Sequence, residues 1–226
     1  MSSSEVGRPP DEGARLESLS EPTTDRGRRT REVLIRAARR VFEKKGFLDA
    51  RISDITRAAR VSYGSFYTYF PSKEAVLREV VFRLQEDTGV NVPHPDRHEL
   101  SPLERIDRAN RSYLAAYKRN ARMMAILEQV ATFNDEIRSI RREVRYAYLN
   151  RSTRAIERWQ REGVVPEDLD ARYAASALAT MVDKSFYVWL VLGEPFEEDV
   201  AVATLNRLCA RALGLPVEAP VVSRVQ

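Results

Sequence analysis

Apolar residues return every three or four positions along most of this chain, and nowhere do they alternate with polar ones for long enough to make a strand. That regularity confines the chain to an all-α fold. From Thr30 onward, Leu34, Ala38, Val41 and Phe42 recur at helical spacing, and Gly46 stands where a helix can end in the left-handed region. A short second helix is predicted over residues 52–59, with Ile52, Ile55 and Ala59 on one side and Ser53-Asp54 in its first turn. Arg60-Val61 breaks it. Ser62 is placed to cap a third helix ending near Tyr69, Pro71 stops that one, and Ser72 caps a fourth containing Ala75, Val76, Val80 and Leu84.

Beyond these, "TGVNVPHPDRHEL" reads as a connection and Ser101-Pro102 as a helix start with proline at its first position. One helix is expected to run to about Lys118 and a shorter one over 121–132. A long helix follows from about Asp135 to Glu162, the next ends near Gly193, and the last covers Glu197 to Leu213. The total is about nine. Residues 1–27, rich in Ser, Glu, Pro and Gly, are expected to form a disordered acidic tail. The divisions expected after it are 28–75, 76–215 and a tail of 216–226.

Several functions are excluded early. The most apolar stretch, residues 173–193, carries Asp183 and Lys184 at its centre, each costing roughly 2.5 to 3.5 kcal/mol in a bilayer, so it is read as a buried helix and no membrane partner is expected. Cys209 is the lone cysteine, which suits a reducing compartment, and the cytoplasm is the expected location. His94 and His98 are spaced like metal ligands, but Pro93 and Pro95 deny them a shared helix face. The acidic run Glu194, Glu197, Glu198 and Asp199 lacks the spacing of a calcium loop. With no nucleophile elbow, phosphate loop or zinc-protease motif, neither an enzyme nor a cofactor is expected.

Charge concentrates where the short helices lie. Residues 26–73 hold 13 Lys and Arg against 4 Asp and Glu, a net of +9, within a chain whose total is only +4. Such a field is what a polyanion-binding segment needs. Inside it lies "VSYGSFYTYFPSKEA", residues 61–75. On a helical wheel Phe66 and Phe70 fall together and point to the core, while Gly64, Ser65 and Thr68 form a small face that lets the backbone approach a partner. Tyr63, Tyr67 and Tyr69 stand at the flanks with hydroxyls to donate. Two short helices joined by a tight turn in a basic surround make a helix-turn-helix arrangement, the second helix reading the major groove. Arg26, Arg28, Arg29 and Arg31 read equally as a soluble approach to the first helix or as a basic arm for the minor groove.

"TREVLIRAARRVFEKKGF" followed by "ISDITRAARVSYGSFYTYFPSKEAVL" resembles the N-terminal DNA-binding domain of the TetR family of transcriptional regulators, over residues 30 to about 84. The resemblance implies an all-helical homodimer of about nine helices, with an N-terminal three-helix DNA-binding domain and a larger C-terminal domain for a small-molecule inducer. It places Ser62, Tyr63, Gly64 and Ser65 nearest the bases of double-stranded DNA and Tyr67, Tyr69 and Lys73 nearest its phosphates. Two positions depart from the pattern. Arg51 stands where Ser or Thr usually caps the second helix, and adds a cation near the DNA backbone. Arg60 replaces the usual glycine of the turn, so either the turn avoids a positive φ or Arg60 bears roughly 1 to 2 kcal/mol.

In the larger half, the helix through residues 173–193 is apolar nearly all round and so needs burial on two faces. Leu178, Met181, Ser185 and Trp189, with Leu205 and Leu208 of the last helix, are expected at the interface with a second copy. Tyr113, Tyr117, Met124, Leu127, Phe133, Tyr146, Trp159 and Phe186 serve either as lining of an apolar pocket or as core, and Asp183 is the expected polar ligand contact. The resulting reading is a ligand-responsive regulator, a repressor on a palindromic operator. Its rival is a constitutive accessory DNA binder whose C-terminal half only dimerises.

Overall fold

The computed structural model describes residues 22–87 and 100–216. Both expected tails beyond those limits, and most of the 88–100 connection with its two histidines, lie outside the described residues. Among the described residues there are eight helices and no strand. They are α1 (Asp25–Asp49), α2 (Ile52–Ala59), α3 (Tyr63–Tyr67), α4 (Lys73–Asp87), α5 (Pro102–Val130), α6 (Asp135–Arg161), α7 (Ala171–Leu190) and α8 (Glu198–Ala212). None of them is long and apolar enough to cross a membrane.

The helix starts follow local chemistry. Ser62, Ser101, Asn134 and Asp170 each accept from a backbone N–H of the first turn. At α5 the cap is reciprocal, because the Glu104 carboxylate reaches back to the Ser101 N–H at 2.8 Å. Two boundaries differ from expectation. α1 begins at Asp25 rather than Thr30, because the Thr24 hydroxyl accepts from the Gly27 N–H at 3.1 Å. Arg26, Arg28 and Arg29 therefore ride on the helix. The break expected near residue 120 is absent, since the Asn120 amide donates to the Ala116 carbonyl at 3.0 Å and stays within the helix. One 29-residue rod replaces two helices.

Gly46 takes φ +77° inside α1, so the regular helix ends there and Phe47–Asp49 form a separate turn. Phe47 is thereby swung back against Phe42, ring centroids 5.5 Å apart.

One core runs without interruption from the head into the larger half. It joins Leu34, Phe42, Ile55, Phe66 and Val80 with Met123, Leu127 and Val130 of α5 and Ile137 of α6. Phe42, Phe66, Leu34 and Ile55 have no exposed surface, each contributing roughly 1.5 to 3 kcal/mol by burial. Away from the head, α5, α6, α7 and α8 enclose two smaller clusters, one around Ile156, Trp159 and Leu213, the other around Tyr117, Phe186 and Leu205. α5 and α6 both reach from the head core to the far end. At the head end of α5, the Arg39 guanidinium of α1 donates to the Asn120 side-chain oxygen at 2.8 Å.

Candidate nucleic-acid interface and ligand cavity

The turn between α2 and α3 is closed by the backbone. Arg60 adopts φ 56° and ψ 42°, the Val61 N–H reaches the Thr56 carbonyl at 3.1 Å, and the Arg60 N–H reaches the Arg57 carbonyl at 3.2 Å. Arg60 is the only non-glycine residue with positive φ among the described residues. Of the two possibilities left open by its side chain, the structure takes the strained one.

α2 is held at its start by Asp54, whose carboxylate accepts from the Arg51 N–H at 3.2 Å and pairs with Lys45 of α1 at 2.8 Å. The Lys45 ammonium, then the Arg51 N–H, hold the Asp54 carboxyl below its ordinary value. Arg51 itself is exposed, its guanidinium unable to act as a cap acceptor.

α3 begins on Ser62, whose hydroxyl accepts from the Ser65 N–H at 3.2 Å and lies 2.7 Å from the Ser65 hydroxyl. Phe66 and Phe70 turn inward, ring centroids 5.7 Å apart. Tyr63, Gly64, Tyr67 and Thr68 are exposed, and Ser65 is half-buried. A Cβ added at Gly64 would meet nothing within 4 Å, so this face is open backbone. Tyr63 and Tyr67 stand side by side, phenol oxygens 3.2 Å apart and rings edge to face. The Tyr63 hydroxyl, followed by local desolvation, raises the Tyr67 pKa above the ordinary phenol value. Tyr69 is half-buried against the core.

Lys73, expected near a phosphate, is engaged within its own chain. Its ammonium donates to the carbonyls of Phe47 at 2.7 Å, Ala50 at 3.0 Å and Leu48 at 3.4 Å, and sits 4.4 Å from the centre of the Phe47 ring. Carbonyls orphaned by the α1 break at Gly46 draw the cation inward. Lys73 is a strut between α4 and the end of α1.

At the opposite end of the molecule, α5, α6, α7 and α8 surround a cavity of about 610 Å³. Its apolar wall includes Ile106, Ile156, Trp159, Leu178 and Val182. Tyr113 and Trp159 are the two expected ligand residues that line it. Tyr113 donates to Asp183 at 2.5 Å; burial first, and then the Asp183 charge, push its pKa well above the ordinary phenol value. Asp183 thus reaches the cavity wall only through Tyr113. Tyr117, Phe186 and Met124 pack in the neighbouring cluster, and burial likewise raises Tyr117. Leu127 belongs to the head core, whereas Phe133 and Tyr146 are about half exposed on the outside. Those three are not brought to the cavity.

Sequence reasoning missed Tyr148, Arg151, Ser152, Arg154 and Arg158, which also line it. The available signal was their common side of α6, where positions 148, 151, 155 and 158 fall three or four apart.

The residues expected to meet a second copy differ in their exposure within one chain. Leu178, Met181, Ser185 and Trp189 are half-buried within the chain, and Leu205 wholly so; Leu208 remains 46% exposed. α7 turns its bulkier side toward α5 and the cavity. Outward lie Tyr173, Ala177 and Thr180 of α7, and Val200, Thr204 and Leu208 of α8.

A tight turn feeding a short helix with small exposed residues, set in the most basic part of the chain, defines a helix-turn-helix DNA-binding protein. The particular kind follows from comparison with known proteins. Residues 34–80 match the family model described as bacterial regulatory proteins, tetR family, and residues 99–202 match the tetracyclin repressor-like C-terminal domain. The chain belongs to the TetR family of transcriptional regulators. It is 29% identical over 179 residues to the HTH-type transcriptional regulator TtgR of Pseudomonas putida, covering 75% of this chain and 84% of that one.

Among solved structures, FadR from Bacillus subtilis in complex with stearoyl-CoA superposes with a TM-score of 0.67 at 21% identity, covering 80% of this chain and 98% of that one. The flavonoid-responsive regulator FrrA gives 0.64 at 23% identity, covering 81% and 96%. These two likenesses establish the shared fold.

Proposed function

We propose that the protein is a ligand-responsive repressor that binds a two-fold-symmetric DNA site as a homodimer in the cytoplasm and leaves it when a small molecule fills the cavity. The observation that carries this reading is α5. The same rigid helix lines the cavity with Asn110 and Tyr113 and, three turns on, enters the head core with Met123 and Leu127 and meets Arg39 through Asn120. A ligand that binds one tilt of this rod better than another biases the position of the head. FadR and FrrA, named for stearoyl-CoA binding and for a flavonoid response, support a small-molecule role for the corresponding region here.

In this reading Ser62, Tyr63, Gly64 and Ser65 face base edges, and Tyr67, Tyr69 and Arg51 face phosphates. Lys73 acts indirectly by fixing α4. The outward residues Tyr173, Ala177, Val200 and Leu208 supply the apolar contact with the second copy, and the two-fold axis is copied onto the DNA.

Selection of binding sites from random duplex DNA with the purified protein is the test. An enriched inverted repeat with half-sites about one helical turn apart, or a multiple of that, supports the proposal. Equal affinity for random and selected DNA at physiological salt would overturn it. An enriched site that no cavity ligand ever releases would favour the constitutive accessory binder instead.

A further inference from the structure

The turn at Arg60 has no structural need of the side chain it carries. It is closed by main chain alone, the Val61 N–H on the Thr56 carbonyl and the Arg60 N–H on the Arg57 carbonyl, and glycine would make the same bonds. Glycine would also take φ 56° and ψ 42° freely, whereas a Cβ opposes that backbone. The fold therefore keeps a destabilising residue at the joint between α2 and α3. Strain of this kind concentrates where a molecule meets its partner.

Other cations of the head are drawn into the fold. Lys45 pairs with Asp54 at 2.8 Å, Arg31 pairs with Glu79 at 2.6 Å, and Lys73 donates to three carbonyls. Arg60 stays exposed, two residues before the Ser62 cap of α3, and Ser62, Tyr63 and Gly64 are exposed beside it. In a helix-turn-helix the first of the two helices crosses the DNA backbone while the second enters the groove. Here α2 carries an exposed arginine at each flank, Arg51 before Ile52 and Arg60 after Ala59, separated by a helix about 12 Å long.

We infer that Arg60 is a further DNA contact of the reading head, its guanidinium meeting a phosphate beside the point where α3 enters the groove. The planar guanidinium matches the paired oxygens of a phosphate, and contacts of that kind add affinity without reading sequence. The turn gives up stability for a contact that glycine cannot make. The inference rests on the DNA-facing placement of α3 proposed above, and adds to it a residue which that placement leaves without a role.

The test compares the full chain with R60G, R60N and R60K by anisotropy titration of one selected and one random duplex over a range of salt, alongside thermal denaturation. R60G removes strain and charge together, R60N removes the charge with a residue that tolerates the left-handed region, and R60K keeps the charge on a strained turn. R60G and R60N should bind both duplexes about tenfold more weakly, with thermal midpoints equal to the parent's or higher. Their plots of log affinity against log salt should be shallower by about 0.9 per subunit. R60K should keep the parent's salt slope. Arg142→Gln, which removes an equal charge from the exposed side of α6, should change neither affinity nor slope.

Parental affinity and slope in R60G and R60N overturn the contact, as does a loss that R142Q reproduces. A loss confined to the selected duplex overturns the phosphate assignment. If the parent chain binds the two duplexes alike, the sequence-reading role of α3 fails, and the salt slope of R60G still decides whether Arg60 meets a phosphate.

Discussion

The head and the far end of the molecule are both bundles of amphipathic helices, yet they are held differently. In the head, α1 to α4 bury Phe42, Ile55 and Phe66 completely, and each short helix begins or ends on a specific bond, from Ser62 to Lys73. At the far end, longer helices leave a cavity of about 610 Å³ and divide the apolar residues between two clusters. Close packing resists deformation, whereas an unfilled space lets surrounding helices settle in more than one way. A rigid reader joined to a yielding receptor is what ligand-controlled binding requires.

The contrast can be broken by matched truncations. Phe66→Ala should cost about 3 to 5 kcal/mol in chemical denaturation and abolish DNA binding with the fold. Leu178→Ala, whose side chain already borders empty space, should cost no more than the lower end of the usual range, about 2 kcal/mol. Equal losses at the two sites would remove the distinction.

Within the head, strut and reader can be separated. Lys73→Met should lower stability by about 1 to 3 kcal/mol through its three carbonyl bonds, while folded protein keeps its affinity for DNA. Tyr67→Phe should leave the denaturation midpoint nearly unmoved and weaken every DNA sequence by about tenfold in anisotropy titrations. If Lys73→Met instead spared stability and weakened DNA binding, the ammonium would be a phosphate ligand after all.

Smaller effects sharpen the picture. Arg60→Gly should raise stability by about 0.5 to 1 kcal/mol, relief of the left-handed backbone being partly offset by glycine's greater freedom when unfolded. Asp54 has a lowered pKa in the folded state, so its contribution is fully present above the ordinary value of 3.8 and is lost as pH falls through the lower folded value. Asp54→Asn should therefore flatten the acid limb of a plot of thermal midpoint against pH.

The head was largely legible in the sequence because its signals are local. Ser62, Pro71 and Ser72 mark helix limits within a few residues, and the inward pair Phe66 and Phe70 follows from spacing alone. The contacts of Lys73 were not legible because its partners are carbonyls 23 to 26 residues earlier, freed by the turn at Gly46. Periodicity in the larger half gave the helices but not their rotation. An apolar surface on every side of α7 leaves open which side meets α5, which the cavity and which a second copy. The boundary expected between Lys118 and residue 121 fails for a similar reason, since the bonds of Asn120 to Ala116 and Arg39 that keep the helix whole are tertiary and local contacts that spacing does not reveal.

The unobstructed backbone at Gly64 has an evolutionary consequence. Because a side chain placed there would strike nothing in its own fold, variants at this position leave the packing intact, and if Gly64 meets base edges as proposed, they alter which DNA sequence is recognised without first losing stability. Descendants of such a regulator can acquire new target genes by small steps, while the buried phenylalanines behind the same helix continue to hold it in place.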